Sequence, residues 1–223
     1  MQKYAIIVAG GKGKRVGTEI PKQFIELRGK PVLIHTIEKF YRFDKSISII
    51  IVLPESQFNY WTAIRKKHSF KIPHEIVKGG PHRFYSVKNG LELVRDESLV
   101  AVHDGVRPLV STETIRRCFE AAEKSGNAIP VVNPAESLRM ISEKGSSPVS
   151  RDTIRIIQTP QVFRSAILKK AYLQKYDPSF SDDATVLERS GETINLVEGN
   201  RENIKITNPE DLLIVSALLD VVS

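Results

Sequence analysis

The stretch that decides the fold lies near the start of the chain and reads IIVAGGKGKRVGTEIPKQF, residues 6–24. A short apolar, β-branched run leads into a loop that is rich in glycine and cations, and the loop ends in Pro21-Lys22-Gln23. Glycines let the main chain approach an anion closely and turn successive N–H groups toward it. A strand followed by such a loop predicts a site that can cradle phosphate groups.

Three interpretations of this loop compete. The dinucleotide fingerprint G-x-G-x-x-G fails because its third glycine is displaced to Gly17. The P-loop pattern needs a glycine five residues after Gly10 or Gly11, and neither has one. The third interpretation is a phosphate-cradling loop of another design, in which Arg15 adds a planar fork for phosphate oxygens and Lys22 a compact point charge. A solvated turn with incidental cations is the alternative for any single glycine-rich loop.

Outward from this loop, apolar runs and helical patterns alternate along the chain. The β-branched runs 47–53 and 99–103 are typical of strands covered on both faces, whereas 31–43 and 82–94 have helical spacing. The alternation indicates βαβ units, so we expect one α/β, Rossmann-like domain over 1–223, with a mostly parallel sheet flanked by helices. Ligands of such sheets bind beyond the carboxyl ends of the strands. Further strands are expected at 127–132, 194–197 and 203–207.

The alternation breaks over residues 134–157. Two roughly alternating segments flank a Lys-Gly-Ser-Ser-Pro turn, which predicts a β-hairpin arm inserted in the domain. An extended hairpin is a common device for pairing with another subunit. A flap that covers the chain's own site is the alternative.

Composition narrows the class of protein. The chain of 223 residues is 41% hydrophobic and 26% charged, which is ordinary for a globular protein. No run approaches the ~20 consecutive apolar residues that a membrane span needs, and no signal-peptide pattern opens the chain. The single cysteine, Cys118, permits neither an internal disulfide nor a cysteine-built zinc site. We therefore expect a cytoplasmic protein without membrane association.

The formal net charge of +7 suits two kinds of partner, a nucleic acid or a small polyanion such as a nucleoside triphosphate. The cations are spread along the chain, many at the ends of apolar runs, and no basic stripe interleaved with aromatic residues appears. This distribution favours a small phosphorylated ligand. A basic nucleic-acid-binding module is the alternative from another class.

Asp104 directly follows the buried run 99–103, at a predicted carboxyl end. Its hard oxygen suits Mg²⁺, which commonly keeps one or two protein carboxylates and completes its shell with water and phosphate oxygens. The alternative is an aspartate that starts the turn into Gly105. His103 is expected to be a packed strand residue rather than a second ligand, because adjacent strand residues point to opposite faces.

The short motifs of this chain, taken in order, resemble one family. They resemble the sugar-phosphate nucleotidyltransferases, and within them the 2-C-methyl-D-erythritol 4-phosphate cytidylyltransferases of the non-mevalonate isoprenoid pathway. The resemblance covers nearly the whole chain. Its motifs are VAGGKGKR (8–15) with PKQ (21–23), Gly79-Gly80 with Arg83 and Ser86, VHDGVRP (102–108), TPQ (159–161), SDDA (181–184), and Glu198-Gly199 with NIKIT (203–207).

The resemblance implies an enzyme that transfers CMP from CTP to 2-C-methyl-D-erythritol 4-phosphate with Mg²⁺ as cofactor, releasing pyrophosphate. The attacking phosphate monoester has a second pKa near ~6 and is largely ionised at neutral pH. The reaction needs alignment and charge neutralisation rather than a general base. The lack of a convincing Ser-His-Asp or Cys-His arrangement in the sequence agrees with that requirement.

The resemblance also implies a role for each matching residue. Arg15 and Lys22 would stabilise the pentavalent transition state, and the arm would carry its residues into the site of a partner subunit. The nucleotide would contact Ala9, Gly10, Gly11, Gly13, Gly80, Arg83 and Ser86. The acceptor would contact Arg107, Ser137, Arg151 and Lys205, and Asp104 would bind the metal.

Two positions depart from the family pattern. Many relatives have an acidic residue where this chain has Pro81, so one of their base contacts is not implied here. Many have Asp-Thr in place of Glu136-Ser137, which keeps the hydroxyl but loosens the inference about the acceptor. Pentitol-phosphate enzymes such as ribitol-5-phosphate cytidylyltransferase share most motifs and are the nearest alternative, whereas Asp182-Asp183-Ala184-Thr185 with Leu187-Glu188 favours the methylerythritol acceptor. The broken fingerprint disfavours an NAD-binding oxidoreductase.

Overall fold

The computed structural model describes residues 1–11, 20–143 and 145–222, without the side chains of 220–222. The strands within these ranges are β1 (Lys3–Val8), β2 (Glu26–Leu27), β3 (Lys30–Pro31), β4 (Ser48–Leu53), β5 (Glu75–Lys78), β6 (Leu99–Asp104), β7 (Asn127–Val132), β8 (Leu138–Ser142), β9 (Gly145–Val149), β10 (Ile156–Ile157), β11 (Gln161–Arg164) and β12 (Leu196–Glu198). The helices are α1 (Val32–Phe43), α2 (Phe58–Lys67), α3 (Arg83–Leu91), α4 (Thr112–Ser125), α5 (Ser165–Ala171), α6 (Asp183–Arg189) and α7 (Pro209–Val222).

A mixed sheet of eight strands forms the centre of the molecule. Its order is β10-β7-β11-β6-β1-β4-β5, with β12 beside β7. The neighbours β6, β1, β4 and β5 run parallel, whereas β11 lies antiparallel between β6 and β7. The predicted α/β, Rossmann-like fold with a mostly parallel sheet is confirmed.

Helices cover both faces of the sheet. Ala5 and Ile7 of β1 pack with α1, α2 and α4, whereas Tyr4 and Ile6 pack with α3, α5 and α6. Alternate residues of a strand point to opposite faces, so a strand buried on both sides must be apolar throughout. Cys118 of α4 is fully buried in this core, and burial raises the pKa of its thiol to about 12. Among the helices described, none has the length and apolar character to cross a bilayer.

The strand expected over 203–207 does not form. Ile206 packs instead under α7, in a cluster with Val32, Val215 and Leu219. Its N–H donates to the Val106 carbonyl at 3.0 Å, and its own carbonyl accepts from Lys22 at 3.3 Å. The segment has strand-like alternation, but the backbone N–H and carbonyl of Ile206 pair with the Val106 carbonyl and the Lys22 side chain. They do not pair with the backbone of a neighbouring strand. The strand expected at 194–197 is shifted to Leu196–Glu198.

The segment 134–157 contains a hairpin outside the main sheet. Strands β8 and β9 pair antiparallel, with Leu138 opposite Val149 and Ser142 opposite Gly145. They form a separate two-stranded sheet. Ile156–Ile157 pair with β7 of the main sheet, so the end of the predicted arm belongs to that sheet. We use "arm" below for residues 134–155.

Candidate active site

The carboxyl ends of the four parallel strands meet at one edge of the sheet, as the fold class predicts. A cavity of about 450 Å³ opens there. It is lined by the residues that end or follow these strands, including Ala9 after β1, Pro54 after β4, Gly79 after β5 and Asp104 at the end of β6. Of the residues predicted from the sequence, its wall contains Ala9, Gly10, Gly11, Lys22, Gly80, Arg83, Ser86, Asp104 and Lys205.

Glycines form one side of this cavity, and we call the whole cavity the glycine lobe. Chain neighbours aside, none of the described residues lies within 4 Å of a Cβ atom added at Gly10 or Gly11, so these residues leave room for a ligand beside the two peptides. Gly80 differs, because a Cβ there would lie 2.3 Å from the Tyr85 Cβ. The Ser86 hydroxyl accepts from the Gly80 N–H at 3.1 Å. That contact holds the 79–80 turn against the start of α3.

Asp104 is the meeting point of three cations. Its Oδ2 lies 3.0 Å from Lys205 Nζ and 3.2 Å from Arg107 Nε, and its Oδ1 lies 3.8 Å from Arg83 Nε. Burial alone would raise the pKa of the Asp104 carboxyl, but Arg83, Lys205 and Arg107 together hold that pKa well below its usual range. An ionised carboxylate among three cations leaves a positive surplus, which suits a polyphosphate.

A smaller cavity of about 180 Å³ adjoins the glycine lobe, and we call it the cation lobe. Arg83, Asp104 and Lys205 line both lobes, while Arg107 lines only the cation lobe. Two ligands seated in the two lobes would therefore approach each other at Asp104 and its cations. The arrangement suits the joining of two phosphorylated molecules.

A buried carboxylate on the protein side of Arg83 fixes the position of its guanidinium. Its Nη2 lies 2.6 Å from Asp183 Oδ2, and the Tyr172 hydroxyl donates to Asp183 Oδ1 at 2.6 Å. Asp183 is fully buried. Burial acts to lower the pKa of Arg83, but Asp183 and Asp104 outweigh it and raise that pKa. The guanidinium is thereby fixed at the boundary of the two lobes.

Arg107 and the Asp104 backbone are anchored by a second network. Arg107 Nη1 donates to the Asn203 carbonyl at 2.7 Å, and Asn203 Nδ2 donates to the Thr159 carbonyl at 2.8 Å. The Thr159 hydroxyl accepts from the Asp104 N–H at 3.1 Å and lies 3.0 Å from His103 Nδ1. The segments 159–161 and 203–207 thus hold the end of β6 in place.

His103 belongs to this network and not to a metal site. Its Nε2 donates to the Arg107 carbonyl at 3.1 Å, which leaves Nδ1 to accept from the Thr159 hydroxyl. Burial lowers the pKa of the fully buried ring to about 4. The prediction of a packed strand residue is confirmed.

Lys22 enters the glycine lobe from the short 3₁₀ helix Lys22–Phe24. Its side chain is buried, and its ammonium donates to the Ile206 and Thr207 carbonyls at 3.3 and 3.4 Å. The next residue, Gln23, donates to the Ala9 carbonyl at 2.7 Å and so ties this helix to the glycine loop. Arg15 and Gly13, which the sequence also places at the site, lie outside the described residues.

Ser137 and Arg151 are not brought to the site within one chain. Both lie on the arm, both are exposed, and neither lines the glycine lobe or the cation lobe. Arg151 Nη1 donates to the Ala135 carbonyl at 2.8 Å. The other two predicted acceptor residues, Arg107 and Lys205, lie in the cation lobe.

Several residues of the site had no role assigned from the sequence. Asp183, Thr159 and Asn203 lie in motifs that the resemblance singled out without saying what they do. Their roles depend on partners distant in sequence, such as the 100 residues between Arg83 and Asp183. Tyr172 carries no sequence signal, because a tyrosine in an amphipathic helical segment is typical of ordinary core packing.

The donor set for a metal is small. Within the described ranges, no group of three or more His, Cys, Asp or Glu side chains is placed to hold an ion. Asp104 is the acidic residue common to both lobes. Its Oδ2 is engaged by Lys205 and Arg107, whereas the ion-pair contact that the described residues make with Oδ1 is the longer 3.8 Å one from Arg83. A carboxylate oxygen without a close partner among these residues fits Mg²⁺, which takes its other ligands from water and phosphates.

Comparison with known proteins gives a consistent result. Residues 4–221 match the family model IspD, described as 2-C-methyl-D-erythritol 4-phosphate cytidylyltransferase. The chain is 52% identical over 219 residues to the protein of that name from Bacteroides thetaiotaomicron, covering 98% of this chain and 100% of that protein. It is 36% identical to the protein of that name from Bacillus licheniformis, covering 99% of this chain and 96% of that protein. A crystal structure of 4-diphosphocytidyl-2C-methyl-D-erythritol synthase from Anaerococcus prevotii superposes with a TM-score of 0.83 at 28% identity, covering 98% of this chain and 96% of that one.

Proposed function

The chain belongs to the 2-C-methyl-D-erythritol 4-phosphate cytidylyltransferase family, and we propose that it transfers CMP from CTP to 2-C-methyl-D-erythritol 4-phosphate. The reaction releases pyrophosphate and forms CDP-methylerythritol in the non-mevalonate route to isoprenoids. The observation that carries the proposal is the convergence of Arg83, Arg107 and Lys205 on Asp104, between a glycine-lined and a cation-lined cavity.

Each of the two lobes binds one of the two substrates. The glycine lobe takes CTP, with the open peptides of Gly10 and Gly11 toward the phosphates and the Gly80–Ser86 turn toward the base. The cation lobe takes the phosphate of the acceptor, which Arg107 and Lys205 bind. An oxygen of that phosphate forms the new bond to the α-phosphorus, while the bond from the α-phosphorus to the pyrophosphate oxygen breaks. No proton has to move, because the attacking phosphate is already largely ionised.

The rate of the transfer then depends mainly on neutralising the negative charge of the transition state. Negative charge accumulates where the two phosphates meet. Arg83 and Lys205 are held at that boundary by fixed partners, and Lys22 is held within the glycine lobe. Preorganised cations stabilise the transition state without reorganising during the reaction. Arg15 has the same expected role and comes from the glycine loop.

We further propose that Mg²⁺ binds at this site through Asp104. The long 3.8 Å contact at Oδ1 and the lack of another carboxylate that lines both lobes support a single protein ligand among the described residues. When bound, the ion would neutralise triphosphate charge and help to orient it. Its removal by a chelator is expected to abolish turnover while the melting temperature of the free enzyme stays unchanged.

The acceptor site is proposed to be completed by a second copy of the chain. Ser137 and Arg151 lie on an exposed arm whose apolar residues Met140 and Ile141 are 62% and 77% exposed. Such side chains lose water favourably when another surface covers them. A homodimer in which each arm reaches the partner's cation lobe would bury them and deliver Arg151 to the acceptor. A cytoplasmic location, where CTP and phosphorylated sugars are available, is proposed with this activity.

The test is pyrophosphate release from CTP and Mg²⁺, measured in parallel with 2-C-methyl-D-erythritol 4-phosphate and with ribitol 5-phosphate. We expect kcat/KM to be at least about 100-fold higher for the first, because an acceptor pocket that pairs with particular hydroxyls rejects analogues that lack or misplace them. Equal or higher activity with ribitol 5-phosphate would overturn the assignment of the acceptor.

The nucleic-acid alternative is tested on the same preparation. CTP with Mg²⁺ is expected to raise the melting temperature, since a ligand that binds only the folded state stabilises it. A single-stranded or duplex oligonucleotide at the same salt concentration is expected to leave it unchanged. The reverse pattern would favour the basic binding module.

A further inference from the structure

A second basic cavity lies on the outer side of α1. Its volume is about 280 Å³, and it is bounded by α1, by the β2–β3 turn and by Leu219 of α7. In the part of the chain that the structure describes, its lining residues and those of the glycine and cation lobes do not overlap. The proposed transfer reaction gives these residues no role.

Lys39 is the distinctive group in this cavity. Its side chain is only 8% exposed, yet the described residues provide no hydrogen-bond acceptor or ion-pair partner for its ammonium. Burial, followed by the nearby charge of Arg42, lowers the pKa of Lys39, and Glu38 opposes them only in part. A cation that is partly removed from water without gaining a partner costs free energy. An anion in the cavity would remove that cost.

The described residues around Lys39 do not supply such an anion. Lys30 donates to both carboxylate oxygens of Glu38, at 2.9 and 2.8 Å, so the carboxylate among the described lining residues is already engaged. Arg42 lies one turn beyond Lys39 and His35 one turn before it, so all three share one face of α1. Lys39 and Arg42 carry like charges at this spacing and repel each other, and an anion between them would turn the repulsion into a shared attraction.

We propose that this cavity binds a small multivalent anion of the phosphate class, and that a diphosphate group suits it best. Lys39 offers a compact point charge and Arg42 a planar fork, a pair that can hold oxygens of two adjacent phosphates. The 280 Å³ cavity is many times the roughly 30 Å³ that a water molecule occupies in the liquid. The group can belong to inorganic diphosphate or form the end of an organic diphosphate. The inference does not depend on the proposed transfer reaction.

The test separates this cavity from the active site by substitution. A Lys205→Met background weakens binding of free diphosphate at the cation lobe, and calorimetric titration of the full chain with inorganic diphosphate then reports the α1 cavity. In this background, Lys39→Met is expected to weaken binding about 10- to 100-fold, since one charge-assisted contact is lost. Lys66→Met, at an exposed lysine of α2, is the matched control and is expected to change nothing.

Arg42→Met guards against a folding artefact, because Arg42 is exposed and its loss leaves the core intact. It is expected to weaken diphosphate binding at least about threefold, with an unchanged melting temperature. Inorganic phosphate is expected to bind more weakly than diphosphate, and comparison of inorganic diphosphate with an alkyl diphosphate identifies the source. If the Lys39→Met and Arg42→Met variants bound diphosphate as tightly as the background protein, the proposal would be overturned. Lys39 would then be a lysine whose aliphatic chain packs in the protein and whose ammonium is solvated.

Discussion

The wall of the two lobes and the arm are both rich in arginine, but the two regions hold their arginines differently. Arg83 lies against the buried Asp183, which in turn accepts from Tyr172, so its guanidinium has a fixed position. Arg151 is exposed on the arm and donates to one backbone carbonyl. The difference indicates that one chain fixes the cations at the boundary of the two lobes, whereas under the proposed function the contribution of Arg151 would depend on where the arm docks.

The largest effect is expected from Asp183→Asn, which removes the charge that fixes Arg83. Losing one partner of a buried ion pair leaves the other uncompensated and typically costs about 3–5 kcal/mol. Urea unfolding would measure the loss, and the KM for CTP should rise in the protein that remains folded. Tyr172→Phe keeps the ion pair and is expected to lower stability less, by about 1.5–3 kcal/mol. If Asp183→Asn were as stable as the parent, the wall could not be called preorganised.

Lys22→Ala is expected to lower kcat by a factor of roughly 100 to 1,000, because a preorganised charge at the transition state is worth about 3–4 kcal/mol. Steady-state pyrophosphate release measures the effect. Circular dichroism and thermal melting establish that the variant is folded, and Lys66→Ala, at an exposed lysine of α2, serves as the matched control. Near-normal turnover in folded Lys22→Ala would contradict the proposed role.

The pH dependence of stability tests how rigidly the wall of the two lobes is held, through the buried His103 behind it. The folded-state pKa of His103 is lowered from 6.5 to about 4 by burial, so between these values the unfolded chain binds the proton and the native chain does not. Stability contributed by neutral His103 is therefore present above pH 6.5 and falls by about 3 kcal/mol as the pH drops toward 4. Urea midpoints at several pH values measure the slope.

His35 and His74 also have lowered pKa values because of burial, so the slope must be assigned by substitution. His103→Gln is expected to flatten the curve between pH 6.5 and 4, since glutamine does not titrate. His82→Gln, at an exposed histidine, is the matched control and should leave the curve unchanged if the interior network is the cause. An equally steep curve in His103→Gln would show that the proton is taken up elsewhere.

Arg151→Met tests the arm, where we expect a smaller effect, seen in the KM for the acceptor. One charge-assisted contact to phosphate is worth about 1.5–3 kcal/mol, which corresponds to roughly a 10- to 100-fold rise in KM. The KM for CTP and the melting temperature should not change, because Arg151 is exposed and lines neither lobe of its own chain. A rise in the KM for CTP instead would remove the division between the two halves.

Mixing the two variants Lys22→Ala and Arg151→Met, each impaired at an acceptor concentration far below KM, decides which chain the arm serves. In a symmetric dimer with exchanged arms, a Lys22→Ala chain supplies an intact arm to the intact Lys22 site of an Arg151→Met partner. Random exchange between equal amounts of the two should restore about one quarter of the parental active sites. If each arm covers its own site, no activity returns. Light scattering on the same samples measures the oligomeric state.

The fold and the membership of the site were largely predictable from the sequence. Continuous β-branched runs such as 47–53 require cover on both faces of a sheet, and the carboxyl-end rule then directs attention to Ala9, Gly80 and Asp104. The strand predicted at 203–207 was wrong, because local alternation carries no information about whether a neighbouring strand is available to pair.

The sequence by itself therefore determined the α/β architecture, the family and the set of residues at the sheet edge, because periodicity and motif spacing are local properties of a chain. Tertiary structure alone decided how the cations are held. Arg83 meets Asp183 across 100 residues and Lys22 meets Ile206 across 184, and such contacts exist only after the sheet has closed. Whether Arg151 completes the site depends on quaternary structure, that is, on the surface against which the arm of each chain packs.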